Sequence, residues 1–242
     1  MKGCVLWMND RHLCLRNLTS PAYRHVLLLL HWPVFGLLFF CLELFRPAAD
    51  CYSVRCALDK WIPFCEWFLI PYLAWFLFLP GMLGYLFFRD TRAFSNMMKF
   101  IIFTYGVTMV IYLLFPTRQD LRPAVFPRDN FLTRFMAAFY AFDTNTNVCP
   151  SIHVLGSMAA GFGALDAGTI RSKGAKAGWM GLALLISVSV VFVKQHSVID
   201  LGAGLALSAL GWALIYGKTA RKRAYRTSLK APRRSVSGRE TA

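Results

Sequence analysis

The sequence predicts an all-α, polytopic membrane protein with about six transmembrane helices and both termini on the cytoplasmic side. Three observations carry this reading. The composition is 57% hydrophobic and only 16% charged, against roughly 45–50% and about 25% in soluble domains. The apolar residues gather in runs close to the roughly 20 residues that a helix needs to cross a bilayer. Lys and Arg are shared unevenly between the connecting segments, as orientation in a membrane demands.

Each element follows in order along the 242 residues. Residues 1–25 form a cytoplasmic arm; no small-residue cleavage site follows a short apolar core, so the arm does not read as a signal peptide. The first span is Val26–Leu44. The second, Ile62–Phe88, contains Pro63, Pro71 and Pro80 and is expected to kink. The third is Met97–Phe115. The fourth, His153–Leu165 with part of the segment before it, is short and rich in Gly and Ala, which suits close packing between helices. Gly178–Val193 and Val198–Tyr216 complete the set. Residues 26–216 therefore form one membrane domain, with no internal repeat and no linker. Residues 217–242, with Arg221-Lys222-Arg223 and Arg233-Arg234, read as a basic, disordered cytoplasmic tail.

The formal net charge is +15. Six spans starting inside the cell put 19 of the 27 Lys and Arg in cytoplasmic segments and 8 outside. Positive charge in excess on one side fixes orientation and attracts anionic lipid. Membrane lipid is thus the expected partner, and no nucleic acid is needed to explain the charge. The same topology brings three outside segments to one face of the cell membrane. They are the third-to-fourth connection with Arg118 and Arg122, the turn Pro150-Ser151-Ile152-His153, and the short turn with Lys194 and His196.

Those segments hold the residues that point to chemistry. Asp200 lies four residues after His196, one helical turn away on the same face. A carboxylate on Nδ1–H fixes the tautomer and leaves Nε2 free as a nucleophile or base. Histidine forms covalent phospho-intermediates, and His153 is the complementary acid for a leaving alkoxide. Pro150 suits a first helical turn. The helix N-terminus it opens offers N–H groups and a positive dipole end to a phosphate. Ser151 adds a hydroxyl donor, and Arg122 can hold phosphate oxygens bidentately.

Plainer readings stand beside these. A histidine at a span end can sit in the interface, and Arg122 can be a headgroup anchor. Cys149 with His153 fits zinc or a thiol nucleophile, but zinc wants four ligands and no further Cys/His cluster accompanies them. Glu43 and Glu66 lie in or beside apolar spans, where charge is costly. His12, His25 and His31 read as structural. A Cys51–Cys56 bridge is conceivable on the outside.

The region from about Pro116 to Leu207 resembles the type 2 phosphatidic acid phosphatase superfamily of six-span membrane lipid phosphatases. Its signatures are K-x6-R-P, P-S-G-H and S-R-x5-H-x3-D. Arg122-Pro123 is similar to the end of the first, and Pro150-Ser151-Ile152-His153 to the second, with Ile152 in place of Gly. Ser189, His196 and Asp200 match the third in spacing. The resemblance implies that His196 is the nucleophile, Asp200 its partner and His153 the general acid. Ser151, Arg122 and Ser189 fall where phosphate contacts are expected. Two cations are missing, since Phe115 and Val190 occupy their places; Arg118 and Lys194 are the candidate replacements.

The expected activity is hydrolysis of a lipid phosphate or pyrophosphate at the extracytoplasmic face through phosphohistidine, with no metal or cofactor in the scheme. The stretch from His196 to Ala203 is also similar to the sphingomyelin and inositol-phosphorylceramide synthase branch. That likeness implies transfer of a phospho-headgroup to an alcohol as the alternative. An inactive membrane scaffold with the same fold is the non-enzymatic one.

Overall fold

The computed structural model describes residues 24–217. The first 23 residues, including His12, and the basic tail from Lys218 onward lie outside the described residues. Among the described residues the architecture is mostly helical, and five helices are long and apolar enough to cross a membrane.

A short 3₁₀ turn, Val26–Leu30, runs directly into α1, His31–Phe45. The second helix, α2, covers Leu69–Arg89 behind a 3₁₀ turn at Glu66–Phe68. It begins later than the expected Ile62. Pro63 lies in the preceding loop and Pro71 in the first turn, where an amide donor has no partner to lose. Pro80 alone sits inside the helix.

Helix α3, Thr91–Leu114, begins six residues before the expected start. Asp90 caps it by accepting from the Ala93 amide at 3.0 Å. The polar residues that masked this first turn have a purpose. Arg92 and Asn96 both bind the Asp166 carboxylate at the far end of another helix.

Helix α4, Phe131–Phe142, has no counterpart among the expected spans. Its 12 residues span only about 18 Å. A capping box of Asn130 and Thr133 starts it. The segment 143–151 that follows is not helical, contrary to the expectation that the fourth span extends backwards. Helix α5 is Ile152–Asp166, α6 is Lys173–Phe192, and α7 is Val198–Gly211, which continues as a π turn through Tyr216. A pair of two-residue strands, β1 (Tyr52–Ser53) and β2 (Thr117–Arg118), joins two loops in parallel.

The core sits around α5, which packs against α2, α3, α6 and α7. Ten of its 15 residues are buried. Small residues make that enclosure possible: a Cβ on Gly163 would lie 2.9 Å from Met97 Sδ and 3.1 Å from Leu86 Cδ1. Conversely, the outward faces of α1 and α2 carry exposed Leu37, Phe40, Leu77 and Phe88, as surfaces facing lipid should.

Candidate active site

One end of the bundle gathers the polar residues. The C-terminal ends of α1, α3 and α6 meet the N-terminal ends of α2, α5 and α7 there. Chain reversal between α6 and α7 takes five residues, with Lys194 in the left-handed region (φ 54°). Such a conformation costs a non-glycine residue about 1–2 kcal/mol. The Lys194 side chain anchors the turn, donating to the carbonyls of Asp59 (3.0 Å) and Ile62 (2.5 Å).

The turn delivers His196 against Asp200. Nδ1 of His196 lies 3.3 Å from Oδ2 of Asp200, and both residues are buried. The same carboxylate oxygen accepts from the Ser197 amide at 2.9 Å, while Ser197 Oγ accepts from the Asp200 amide at 3.2 Å. Asp200 therefore both orients the imidazole and closes a capping box on α7. Asp59, from the connection between α1 and α2, adds a cap by accepting from the Val198 amide at 2.8 Å.

His153 stands in the first turn of α5, with its ring centroid 5.7 Å from that of His196. Aromatic rings of α2 hold it: Tyr72 stacks at 4.8 Å and Trp75 lies at 4.5 Å. Both His153 ring nitrogens are buried and unpaired, as are Ser151 Oγ and Asp200 Oδ1. Ser151 is the N-cap residue of α5, and its hydroxyl makes no cap bond. Two tyrosines of α3 fix the backbone around it, Tyr112 donating to the Pro150 carbonyl (2.7 Å) and Tyr105 to the Ile152 carbonyl (3.2 Å). Pro150 lies one residue before the N-cap of α5, after a cis peptide bond, rather than in the first turn of the helix.

The expected phosphate contacts divide. Ser151 joins the histidine pair. Arg122 reaches the same end of the bundle, but protein groups hold it. Its Nη1 donates to the carbonyls of Tyr140 and Asp143, and Nη2 donates to Thr144 O and Gln195 Oε1. Its guanidinium carbon lies 4.6 Å from the centre of the Tyr140 ring. Four of its five donors are thus engaged, and the fifth, Nε, is buried and unpaired. Lys194 points to the 59–62 loop, as described above. Arg118 donates to the Ala48 carbonyl and pairs with Asp120. Ser189 is buried in α6, donating to the Ile186 carbonyl at 2.6 Å. The structure brings together His196, His153, Asp200 and Ser151. It does not bring Arg118, Lys194 or Ser189 to them as free donors.

Several neighbours were not legible as site residues. Gln195 bridges Arg122 to the Asp143 carboxylate, donating at 2.9 Å. Burial raises the Asp143 carboxyl above the ordinary carboxylate range against the pull of Arg122. Glu43, flagged only as a charge in an apolar run, accepts from Thr144, Thr146 and Asn147 and so holds the 143–151 loop. Glu66 pairs with Arg128 and Asn130. A cleft of about 450 Å³ lies between this loop, Arg122 and the end of α1.

Burial lowers the Lys194 ammonium, although Asp59 opposes this. Burial and the nearby Asp200 push the Cys149 thiol up to about 12. Cys51 and Cys56 are free thiols, so the conceivable bridge is not formed. Among the described residues, no group of three or more His, Cys, Asp and Glu is placed to hold a metal ion. No protein-family model, curated protein or solved structure matches this chain.

Proposed function

We propose that the chain is a cell-membrane lipid phosphatase of the type 2 phosphatidic acid phosphatase kind, acting at the extracytoplasmic face through a phosphohistidine. The observation that carries this reading is the His196–Asp200 hydrogen bond set beside a His153 whose two ring nitrogens are unpaired. In the proposed topology α5 is the fourth of six crossings, and both termini are cytoplasmic. The alternating direction of α1, α2, α3, α5, α6 and α7 supports this count.

In the proposed reaction Nε2 of His196 attacks phosphorus and the bond to the lipid alkoxide breaks. His153 supplies the proton that the alkoxide takes up, while Asp200 stabilises the imidazolium. Water, deprotonated by His153, then splits the N–P bond and releases phosphate. Ser151 and the uncapped N-terminus of α5 are the donors aimed at the developing charge. Phosphatidic acid, diacylglycerol pyrophosphate and undecaprenyl pyrophosphate are the substrates to test. Release of phosphate by purified protein, abolished in His196→Ala, is the expected result. Full release by that variant would refute the nucleophile.

One observation favours a second reading, transfer of a phospho-headgroup to a lipid alcohol. Arg122, Lys194 and Arg118 are engaged by protein groups, and the carboxylates of Asp143 and Asp200 lie close by. A phosphodiester carries one negative charge and makes less demand on cations than a phosphomonoester dianion. Exchange between phosphatidylcholine or phosphatidylinositol and added diacylglycerol or ceramide, without free phosphate, would select this reading. No turnover in either assay would select the inactive scaffold.

Sidedness has its own test. A reporter active only outside the cytoplasm should be active when fused after Lys60 and silent when fused at Lys173. The reverse pattern would move the histidines to the cytoplasmic face.

A further inference from the structure

The other end of the bundle carries a second cleft, of about 590 Å³. Tyr85 and Arg89 line it from the last turns of α2, and Gly168, Thr169 and Arg171 from the α5–α6 connection. Two neighbouring cations on this face have partners. Arg92 is bound by Asp166, and Lys176 donates to the Leu165 carbonyl. The nearest carboxylate, Asp90, accepts from the Ala93 and Gly168 amides. Arg89 and Arg171 are different: neither has a hydrogen bond or ion pair to any described residue. Two unpartnered guanidinium groups therefore share one cleft, with the hydroxyls of Tyr85 and Thr169 beside them.

We propose that this cleft binds the phosphate group of an anionic phospholipid in the leaflet opposite the histidine pair. Guanidinium groups match phosphate bidentately, where an ammonium offers only a point charge. In a bilayer, the end of a membrane-spanning helix meets the level of the lipid phosphates. Arg89 ends a membrane-length helix, and exposed Phe88 and Leu165 flank it on the apolar side. Tyr85, 39% exposed, has the amphipathic shape that favours the bilayer interface. The inference depends only on a membrane setting and is independent of any reaction at the histidines.

The test uses the full chain, purified in detergent. Phosphatidylglycerol or phosphatidylcholine is titrated in, and bound lipid is counted by native mass spectrometry. Arg89→Ala and Arg171→Ala should each weaken phosphatidylglycerol retention about tenfold, the effect of removing one charge-assisted contact. The phosphatidylcholine count should not move, and neither should the Tm without added lipid. Arg55→Ala, on the opposite face, should behave as the parent protein. Failure of inorganic phosphate to displace phosphatidylglycerol identifies the lipid as the ligand. Displacement by inorganic phosphate, with equal retention of both lipids, would assign the cleft to a soluble phosphate compound and overturn the lipid proposal. Equal phosphatidylglycerol retention by the parent and both variants would overturn it outright. Arg89→Lys with Arg171→Lys guards against a folding artefact: charge is kept and the fork lost, so retention should fall only partway.

Discussion

Asp200 has two tasks that one substitution can separate. Its Oδ2 accepts from the Ser197 amide at 2.9 Å and lies 3.3 Å from His196 Nδ1. In Asp200→Asn the amide oxygen still serves the Ser197 cap, so stability should fall by less than about 1 kcal/mol, the typical worth of a cap. The negative charge behind the imidazole is gone. A hydrogen bond to a charged group contributes about 1.5–3 kcal/mol, which corresponds to a roughly 10- to 150-fold loss of rate. At 3.3 Å the contact is long for a charge-assisted bond and tightens as the imidazolium forms, which places the expected loss toward the larger figure. Asp200→Ala removes both tasks, lowering the Tm as well as the rate. Phosphate release from phosphatidic acid, read beside a thermal melt of the same preparation, distinguishes them. If Asp200→Asn kept activity within threefold at unchanged Tm, the carboxylate would be a helix cap alone and the paired-histidine chemistry would lose its support.

Other expectations follow from neighbouring residues. His153→Ala should slow a lipid alkoxide leaving group far more than an activated aryl phosphate, which needs no proton; equal loss on both would remove the acid role. Arg122→Gln should lower the Tm and loosen the 140–144 segment, read as faster amide hydrogen exchange there, because four hydrogen bonds depend on its guanidinium. Unchanged exchange would mean that the guanidinium clamps nothing. Cys149 should resist maleimide at pH 8. A thiol held near 12 is only about one part in ten thousand thiolate at that pH, and the thiolate is the reactive form. Since its pKa is raised, reactivity should appear only as the pH climbs, and labelling at neutral pH as fast as that of a denatured control would contradict the burial.

The apolar runs were legible because bilayer thickness imposes one length on them, and the His196–Asp200 pair by its four-residue spacing, although His196 stands in the turn before α7 and the capping box on Asp200, rather than helical repeat, brings the two together. Other features left no such mark. Arg92 and Asn96 read as the end of a loop, since their partner Asp166 is 70 or more residues away. Arg122 and Lys194 looked like free phosphate ligands because their acceptors are mainly backbone carbonyls, which every residue has and no composition reveals. Tyr72 and Trp75 were indistinguishable from other aromatics in an apolar span until the fold put them on His153. Helix α4 hid in a loop because its 12 residues are too few for a crossing.

The enclosure of α5 has a consequence for depth. Fifteen helical residues cover about 22 Å, less than the roughly 30 Å of a hydrocarbon core. In the proposed six-span topology the remainder of that crossing would be made by irregular backbone, which is tolerated at membrane depth only where protein surrounds it. The 143–151 loop, tied to Glu43, provides such a setting. On that topology the histidines would lie at the floor of a crater sunk below the plane of the surrounding headgroups. A phospholipid standing upright in an undisturbed leaflet presents its phosphorus too high. To react it must drop several ångströms or slip sideways between helices, dragging its polar group into a region of low dielectric. How readily a lipid makes that descent, more than how tightly its phosphate is gripped, would then govern which lipids are turned over.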